Sequence, residues 1–191
     1  MTPSQWRRLV TPLLADPTGW AFTARRCYRV PFDWVAAGVL WEGSATRDHG
    51  YVWTWSMPLF VPAEHVVLSQ SARIGQGRFD RADSESVTAG IRTALSQVRS
   101  EAEYLQVWSE GDVSELRAYS LLLVGRVAEA GTAMRAARDR LREDGQGWAL
   151  DHARRIEGVR RVLLTEGNGA ALGLLSAWRA YTASALRLDR T

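Results

Sequence analysis

Proline and tryptophan are distributed unevenly along this chain of 191 residues. All six prolines fall within the first 62 residues, and six of the nine tryptophans fall within the first 55. After residue 83 the chain is instead rich in Ala, Leu and Arg. Proline and aromatic residues suit turns and half-buried sheets, whereas long proline-free runs of Ala, Leu and Arg suit helices. The pattern predicts an α+β protein that begins with strands and ends with helices.

The first part of the chain predicts one helix on a four-stranded antiparallel meander. Thr2, Pro3 and Gln5 have the pattern of a helix start. Apolar residues then recur along four stretches that we interpret as strands, at residues 20–30, 34–41, 51–59 and 66–74. We expect the helix to cover the sheet face that carries Tyr51, Trp53, Trp55 and Met57.

The second part of the chain predicts about five helices. Apolar residues recur every three or four positions, first over residues 87–105, and glycines at 125, 145, 147 and 167 break the pattern. We therefore divide the chain into a helix-plus-sheet unit at residues 1–83 and an all-helical unit at residues 84–191. We expect the two units to pack together as one compact protein.

One turn and the helix after it combine small and apolar residues in the order Leu123, Gly125, Arg126, Glu129, Ala130, Met134 and Ala137. This pattern resembles the second helix of a tetratricopeptide repeat and the turn before it. The resemblance implies closely paired helices that present a surface to a partner. The next such turn, at Gly167, follows at a longer spacing than the roughly 34 residues of that family, so we expect repeat-like hairpins rather than a solenoid.

The first half of the chain carries a leading helix, a meander whose third strand ends in residues 55–62, and Arg73, Ile74 and Gly75 after the fourth strand. These features resemble a bacterial family of small helix-plus-sheet domains, over about residues 3–110. The resemblance implies the fold. It implies no activity and no catalytic residues.

Charge and cysteine content narrow the function classes. The net charge is +3, every basic residue is arginine, and residues 111–191 hold 13 Arg against 10 acidic residues. This excess is too small to indicate a nucleic-acid binder by itself, but it places any acidic partner at the C-terminal helices. One cysteine, no apolar opening segment and no long apolar run predict a cytoplasmic protein with no membrane partner. We expect no cofactor.

Candidate catalytic and metal-binding groups do not converge in the sequence. His49 and His65 flank the third strand and so lie at its opposite ends, too far apart to share a zinc ion. We interpret His152 as a packed, hydrogen-bonded histidine on the apolar face of its helix. Cys27, which we place on the face opposite Phe22, has no predicted base nearby and is interpreted as an incidental thiol. We expect no enzyme, with an unrecognised active site as the alternative.

The densest basic cluster is the candidate interaction surface. Arg154 and Arg161 fall close together beside Gly158 on a helical wheel, and a patch of this kind can hold an acidic protein surface or phosphates. The alternative is a solvated face that Asp151 and Glu157 partly neutralise. The full candidate set is Arg135, Arg138, Arg142, Arg154, Arg155, Arg160 and Arg161.

These observations predict a non-catalytic protein-interaction module, namely an adaptor, an immunity-like factor or an accessory subunit of a larger complex. The alternative is a nucleic-acid-binding protein that uses the C-terminal arginines. In that alternative, Trp53 and Trp55 could form a platform on which bases stack, unless both belong to the core.

Overall fold

The computed structural model describes residues 1–46, 48–66, 71–75 and 77–188, and it has the α+β architecture that the sequence predicts. An antiparallel sheet precedes a helical remainder. The chain divides into two compact units. Unit 1 comprises Met1–Pro58, Ala63–Glu101 and Ala183–Thr191, and unit 2 comprises Leu59–Pro62 and Ala102–Thr182.

Helix α1 (Pro3–Val10) begins with the cap that the sequence predicts. The Thr2 hydroxyl accepts a hydrogen bond from the Gln5 backbone N–H at 3.2 Å, and the Gln5 side chain accepts one from the Thr2 backbone N–H at 2.8 Å. These reciprocal bonds satisfy two N–H groups that a helix start leaves without partners. The helix buries Trp6 and Val10.

The sheet has six strands in the part of the chain that the structure describes. They follow the order β1-β2-β3-β4-β5, with β6 paired to β4, and every pairing is antiparallel. The strands are β1 (Trp20–Thr23), β2 (Arg26–Arg29), β3 (Val35–Gly43), β4 (His49–Pro58), β5 (Ala72–Arg73) and β6 (Phe79–Asp80). Residues 67–70 of the fourth predicted strand lie outside the described residues.

The predicted single strand over residues 20–30 is wrong, because this stretch forms the hairpin of β1 and β2. Ala24 adopts a left-handed conformation with φ of 51°, which lets the chain reverse without a glycine. The apolar alternation continues across the turn, so the period of two does not reveal it. As a consequence Cys27 stands directly opposite Phe22 and shares its face of the sheet, contrary to the expectation.

The expected position of α1 on the sheet is also wrong. Cross-strand partners share a face, and the register places Phe22, Cys27 and Val39 together. The Arg7 guanidinium of α1 lies 4.9 Å over the Phe22 ring, so the helix lies on this face. The other face carries Trp55 and Met57, both of which are buried. The centre of the sheet is therefore buried on both faces, which a pattern of alternation does not predict.

The predicted long helix over residues 87–105 is broken into α2 (Ser84–Gln97) and α3 (Glu101–Glu110). Val98 ends α2 in an extended conformation, with ψ of 113°. One oxygen of the Glu101 carboxylate accepts backbone N–H bonds from three consecutive residues at 2.8–3.1 Å, namely Asp33, Trp34 and Val35. This side chain fixes the start of β3, and such a contact between distant residues is invisible to helical periodicity.

The remaining helices are α4 (Glu115–Leu123), α5 (Val127–Asp144), α6 (Gly147–Thr165) and α7 (Asn168–Ala185). The predicted breaks at Gly125, Gly145 and Gly167 are confirmed, because these glycines have positive φ of 80°, 70° and 88°, a conformation that glycine adopts readily. The predicted break at Gly147 is wrong, because this residue is the first of α6. Ser114 caps α4, because its hydroxyl accepts a hydrogen bond from the Arg117 backbone N–H at 3.1 Å. The second unit buries small residues of α5 and α6, among them Ala130, Ala137, Ala149 and Ala153.

Candidate interaction surface

The face of α6 that lies against α4 contains a buried ion pair. Arg155 donates two hydrogen bonds to the Glu115 carboxylate, at 2.5 and 2.6 Å, in the bidentate geometry that suits a guanidinium. Glu115 lies at the start of α4 and is buried. His152 contributes a third contact, with Nδ1 3.0 Å from the carboxylate. Arg155 therefore holds two helices of the second unit together.

The charge states around Glu115 follow from these contacts. Burial raises the pKa of the Glu115 carboxyl, but the Arg155 guanidinium and the His152 ring lower it by more, so its pKa lies below the usual range. Burial and the Glu115 charge raise the pKa of Tyr119 well above its ordinary value. The cluster is thus an ionised pair beside a neutral phenol. The hydrogen-bonded character predicted for His152 is confirmed, although its side chain remains 38% exposed.

A second ion-pair network joins α5 to α6 around Glu157. Arg138 donates to Glu157 at 2.7 Å and also to Asp139 at 2.7 Å. Arg160 donates to the other Glu157 oxygen at 3.4 Å. These contacts bear out the expectation that Glu157 partly neutralises the basic cluster.

The remaining candidate arginines are more exposed. Arg154 pairs with Asp151 one turn earlier, and its side chain is 76% exposed. Arg135, Arg142 and Arg161 are exposed and make no ion pair with any residue that the structure describes. The seven candidates are therefore not equivalent. Arg138, Arg155 and Arg160 pair with carboxylates and are only 17–21% exposed, whereas the other four point toward solvent, and of those four only Arg154 pairs with a described carboxylate.

The solvent-facing stripe of α6 combines charge with exposed apolar area. Its members recur every three or four residues, and we call them the outer face of α6: Leu150, Arg154, Gly158, Arg161 and Leu164. The two leucines are 39% and 66% exposed. A Cβ atom on Gly158 would meet no heavy atom within 4 Å, so the fold of the described chain does not require glycine there.

The leucines of the outer face are absent from the candidate set that the sequence predicts. Their spacing relative to Arg154 and Arg161 carries the signal, because 150, 154, 158, 161 and 164 follow the helical period. Trp148, at the start of α6, is also exposed and contacts His152 edge-to-face at 5.7 Å. The sequence predicts a surface made of arginines alone, although apolar residues supply much of the energy of protein interfaces.

The other predicted chemical groups do not assemble a site. Burial raises the pKa of the Cys27 thiol to about 12, which leaves it protonated and poorly nucleophilic. Trp55 is fully buried, so Trp53 and Trp55 do not form an exposed stacking platform. The guanidinium of Arg73 covers the Trp53 ring at 5.0 Å. Among the described residues no cluster of three His, Cys, Asp or Glu side chains could hold a metal ion.

No family model matches the chain, and no curated protein or solved structure matches it. The two family resemblances of the sequence therefore stay predictions. Within the described ranges, no helix is long and apolar enough to cross a bilayer. The protein is thus an α+β protein with a mixed apolar and basic face on α6.

Proposed function

We propose that the protein is a non-catalytic interaction module that binds a partner protein through the outer face of α6. One observation carries the proposal: two exposed leucines flank two arginines and an open glycine along a single helix stripe. Apolar anchors beside arginine are typical of protein interfaces, and arginine favours an acidic partner surface. An adaptor, an immunity-like factor and an accessory subunit all fit this role, which we place in the cytoplasm.

The structural reason to favour this face over the whole arginine cluster is its independence from the fold. Arg155 and Arg138 form ion pairs with carboxylates on neighbouring residues or helices. Arg161 forms no ion pair with a residue that the structure describes, and Leu164 is exposed. A partner can therefore contact them without breaking an internal ion pair, and the cost of removing Arg161 from water is offset by an acidic group on the partner.

The test is an affinity capture from cells with three baits: the wild-type chain, Arg154→Glu/Arg161→Glu on the outer face, and Arg8→Glu/Arg92→Glu as a control of equal charge change. Both control residues are exposed and lie in the first unit. We expect a stoichiometric protein that survives nuclease, binds the first and third baits, and is lost from the second. Retention by the outer-face variant, or the absence of any stoichiometric partner, would contradict the proposal.

The nucleic-acid alternative makes a different prediction in the same experiment. Arg135, Arg142 and Arg161 are its best candidates, since no described carboxylate pairs with them. Phosphate contacts release counterions, so binding would weaken steeply as the salt concentration rises. Recovery of nucleic acid with the wild-type bait, or loss of all partners after nuclease, would move the assignment to this alternative.

A further inference from the structure

Unit 1 contains an open groove that the proposed function does not use. Its volume is about 870 Å³, within the range of roughly 300–1,000 Å³ that binding sites occupy. Its lining mixes polar and apolar groups: the side chains of Trp20, Phe22, Val30, Phe32 and Leu188, the threonines Thr11 and Thr18, and one cation, Arg7. Trp20 and Phe22 belong to β1, which is the edge strand of the sheet.

The backbone of β1 offers unused hydrogen-bonding groups at this edge. The Gly19 carbonyl accepts the Val30 N–H at 2.9 Å, so bonded and non-bonded pairs alternate from that point. The alternation turns the backbone groups of Trp20 and Phe22 away from β2. The Trp20 N–H bonds the Pro17 carbonyl, whereas the Trp20 carbonyl and both Phe22 groups have no backbone partner in the described chain. An unpaired edge of this kind accepts an added strand.

The cation of the groove is also available. The Arg7 guanidinium lies over the Phe22 ring and makes no ion pair with the residues that the structure describes. The nearby Arg29 is already engaged, since it donates to the Val98 carbonyl at 3.2 Å. A ligand carboxylate beside Arg7 would therefore gain a charge-assisted hydrogen bond without displacing an internal partner.

We infer that this groove binds an extended peptide segment, which adds as a short strand beside β1. The peptide bonds the Trp20 carbonyl and the two Phe22 backbone groups. One apolar side chain enters the space between Trp20, Phe22 and Phe32. Side chains two residues apart share a face of a strand, so an acidic side chain two positions away pairs with Arg7. The recognised chemistry is thus an apolar and an acidic residue at alternate positions of an extended segment.

The test begins with a displayed library of random nonapeptides, selected against the full chain. We expect enrichment of an apolar residue two positions from Asp or Glu. The best peptide, labelled with fluorescein, should bind Arg7→Glu at least tenfold more weakly than the wild type, and selection against Arg7→Glu should enrich basic residues in place of acidic ones. Arg92→Glu is the matched control, and the outer-face variant Arg154→Glu/Arg161→Glu should bind the peptide unchanged. That last result separates this site from the surface on α6.

The strand geometry has its own measurement. The Phe22 amide should exchange with solvent at least tenfold more slowly when the peptide is bound, and it should do so in Arg7→Gln at saturating peptide. The inference is overturned if the selected peptides show no such alternating pattern. It is also overturned if the peptide binds Arg7→Glu as tightly as the wild type, or if bound peptide leaves the exchange rate of the Phe22 amide unchanged. Thermal unfolding of each variant shows whether a lost signal reflects a lost fold, and the reversed preference of Arg7→Glu cannot arise from unfolding.

Discussion

Arginine has different roles on two faces of α6, namely the outer face and the face that contacts Glu115 of α4, which we call the inner face. Arg154 and Arg155 are neighbours in sequence, yet Arg155 contacts a buried carboxylate at the start of α4 and Arg154 points into solvent beside Asp151. A helix rotates each successive side chain by about 100°, so adjacent arginines fall on different surfaces. The comparison shows that a local density of arginine is not itself a binding signal. The partner of each guanidinium decides its role.

The sharpest test of this comparison replaces each arginine by alanine. Arg155→Ala removes the bidentate guanidinium partner of the buried Glu115 carboxylate and leaves it with His152, and we expect it to lower the free energy of unfolding by about 3–5 kcal/mol. Arg154→Ala removes an exposed pair and should change it by less than about 1 kcal/mol. Urea unfolding followed by helical circular dichroism measures both values.

A double variant isolates the reason for the larger loss. In Glu115→Leu/Arg155→Met both charges are absent, so the penalty of an unpaired buried carboxylate disappears and most of the lost stability should return. Equal losses for Arg154→Ala and Arg155→Ala would break the distinction between the two faces. A double variant as unstable as Arg155→Ala would show that packing, rather than charge, explains the effect.

The fold is more predictable from sequence where local signals determine it. The capping box of α1 and the glycine breaks at 125, 145 and 167 involve residues a few positions apart, and the structure confirms them. The sequence pattern does not reveal the hairpin at Ala24 or the break at Val98. The turn at Ala24 contains no glycine or asparagine to mark it, and Glu101 at the start of α3 bonds to the backbone of residues 33–35. Such contacts between distant residues leave no periodic trace.

The interaction surface is less predictable for the same reason. The sequence identifies the arginines, and it identifies Asp151 and Glu157 as neutralising neighbours within α6. It does not identify Glu115 as the partner of Arg155, because 40 residues separate the two. The seven arginines therefore look equivalent in sequence. The packing of α4 and α5 against α6 separates the arginines that support the fold from those that remain exposed.

Low pH should reduce the stabilisation from the Arg155–Glu115 pair on the inner face more than that from the Arg154–Asp151 pair on the outer face. Because the folded pKa of Glu115 lies below its unfolded value of about 4.3, the stabilisation is fully present above that value and is lost as the pH falls through the folded pKa. Arg155, His152 and Tyr119 face this carboxyl, and the first two favour its ionised form. We expect the stability difference between wild type and Glu115→Gln to shrink as the pH falls from 6 toward 3, whereas the difference between wild type and Asp151→Asn should vary less.

Thermal unfolding across this pH range measures both differences. The expected effect is smaller than that of Arg155→Ala, because a protonated Glu115 still accepts hydrogen bonds from Arg155. A constant difference between wild type and Glu115→Gln would mean that the carboxyl is not held in its ionised form by the fold. The prediction concerns the slope with pH, so it does not depend on the absolute stability of the variant.

The smallest expected effect concerns Gly158 and separates stability from binding on the outer face. A Cβ at this position meets nothing within 4 Å, so Gly158→Ala should stabilise the helix by up to about 1 kcal/mol through its better helical propensity. Gly38→Ala is the contrasting control, since its Cβ would lie only 1.9 Å from the Cys27 carbonyl oxygen and must destabilise the sheet.

If a partner helix approaches α6 closely at Gly158, the alanine should weaken partner binding while it raises the melting temperature. Gly131→Ala, which has equal room for a Cβ on α5, should raise the melting temperature without that loss of affinity. Equal partner affinity for the wild type, Gly158→Ala and Gly131→Ala would show that Gly158 is not part of the contact. The interface would then be restricted to the leucines and arginines beside it.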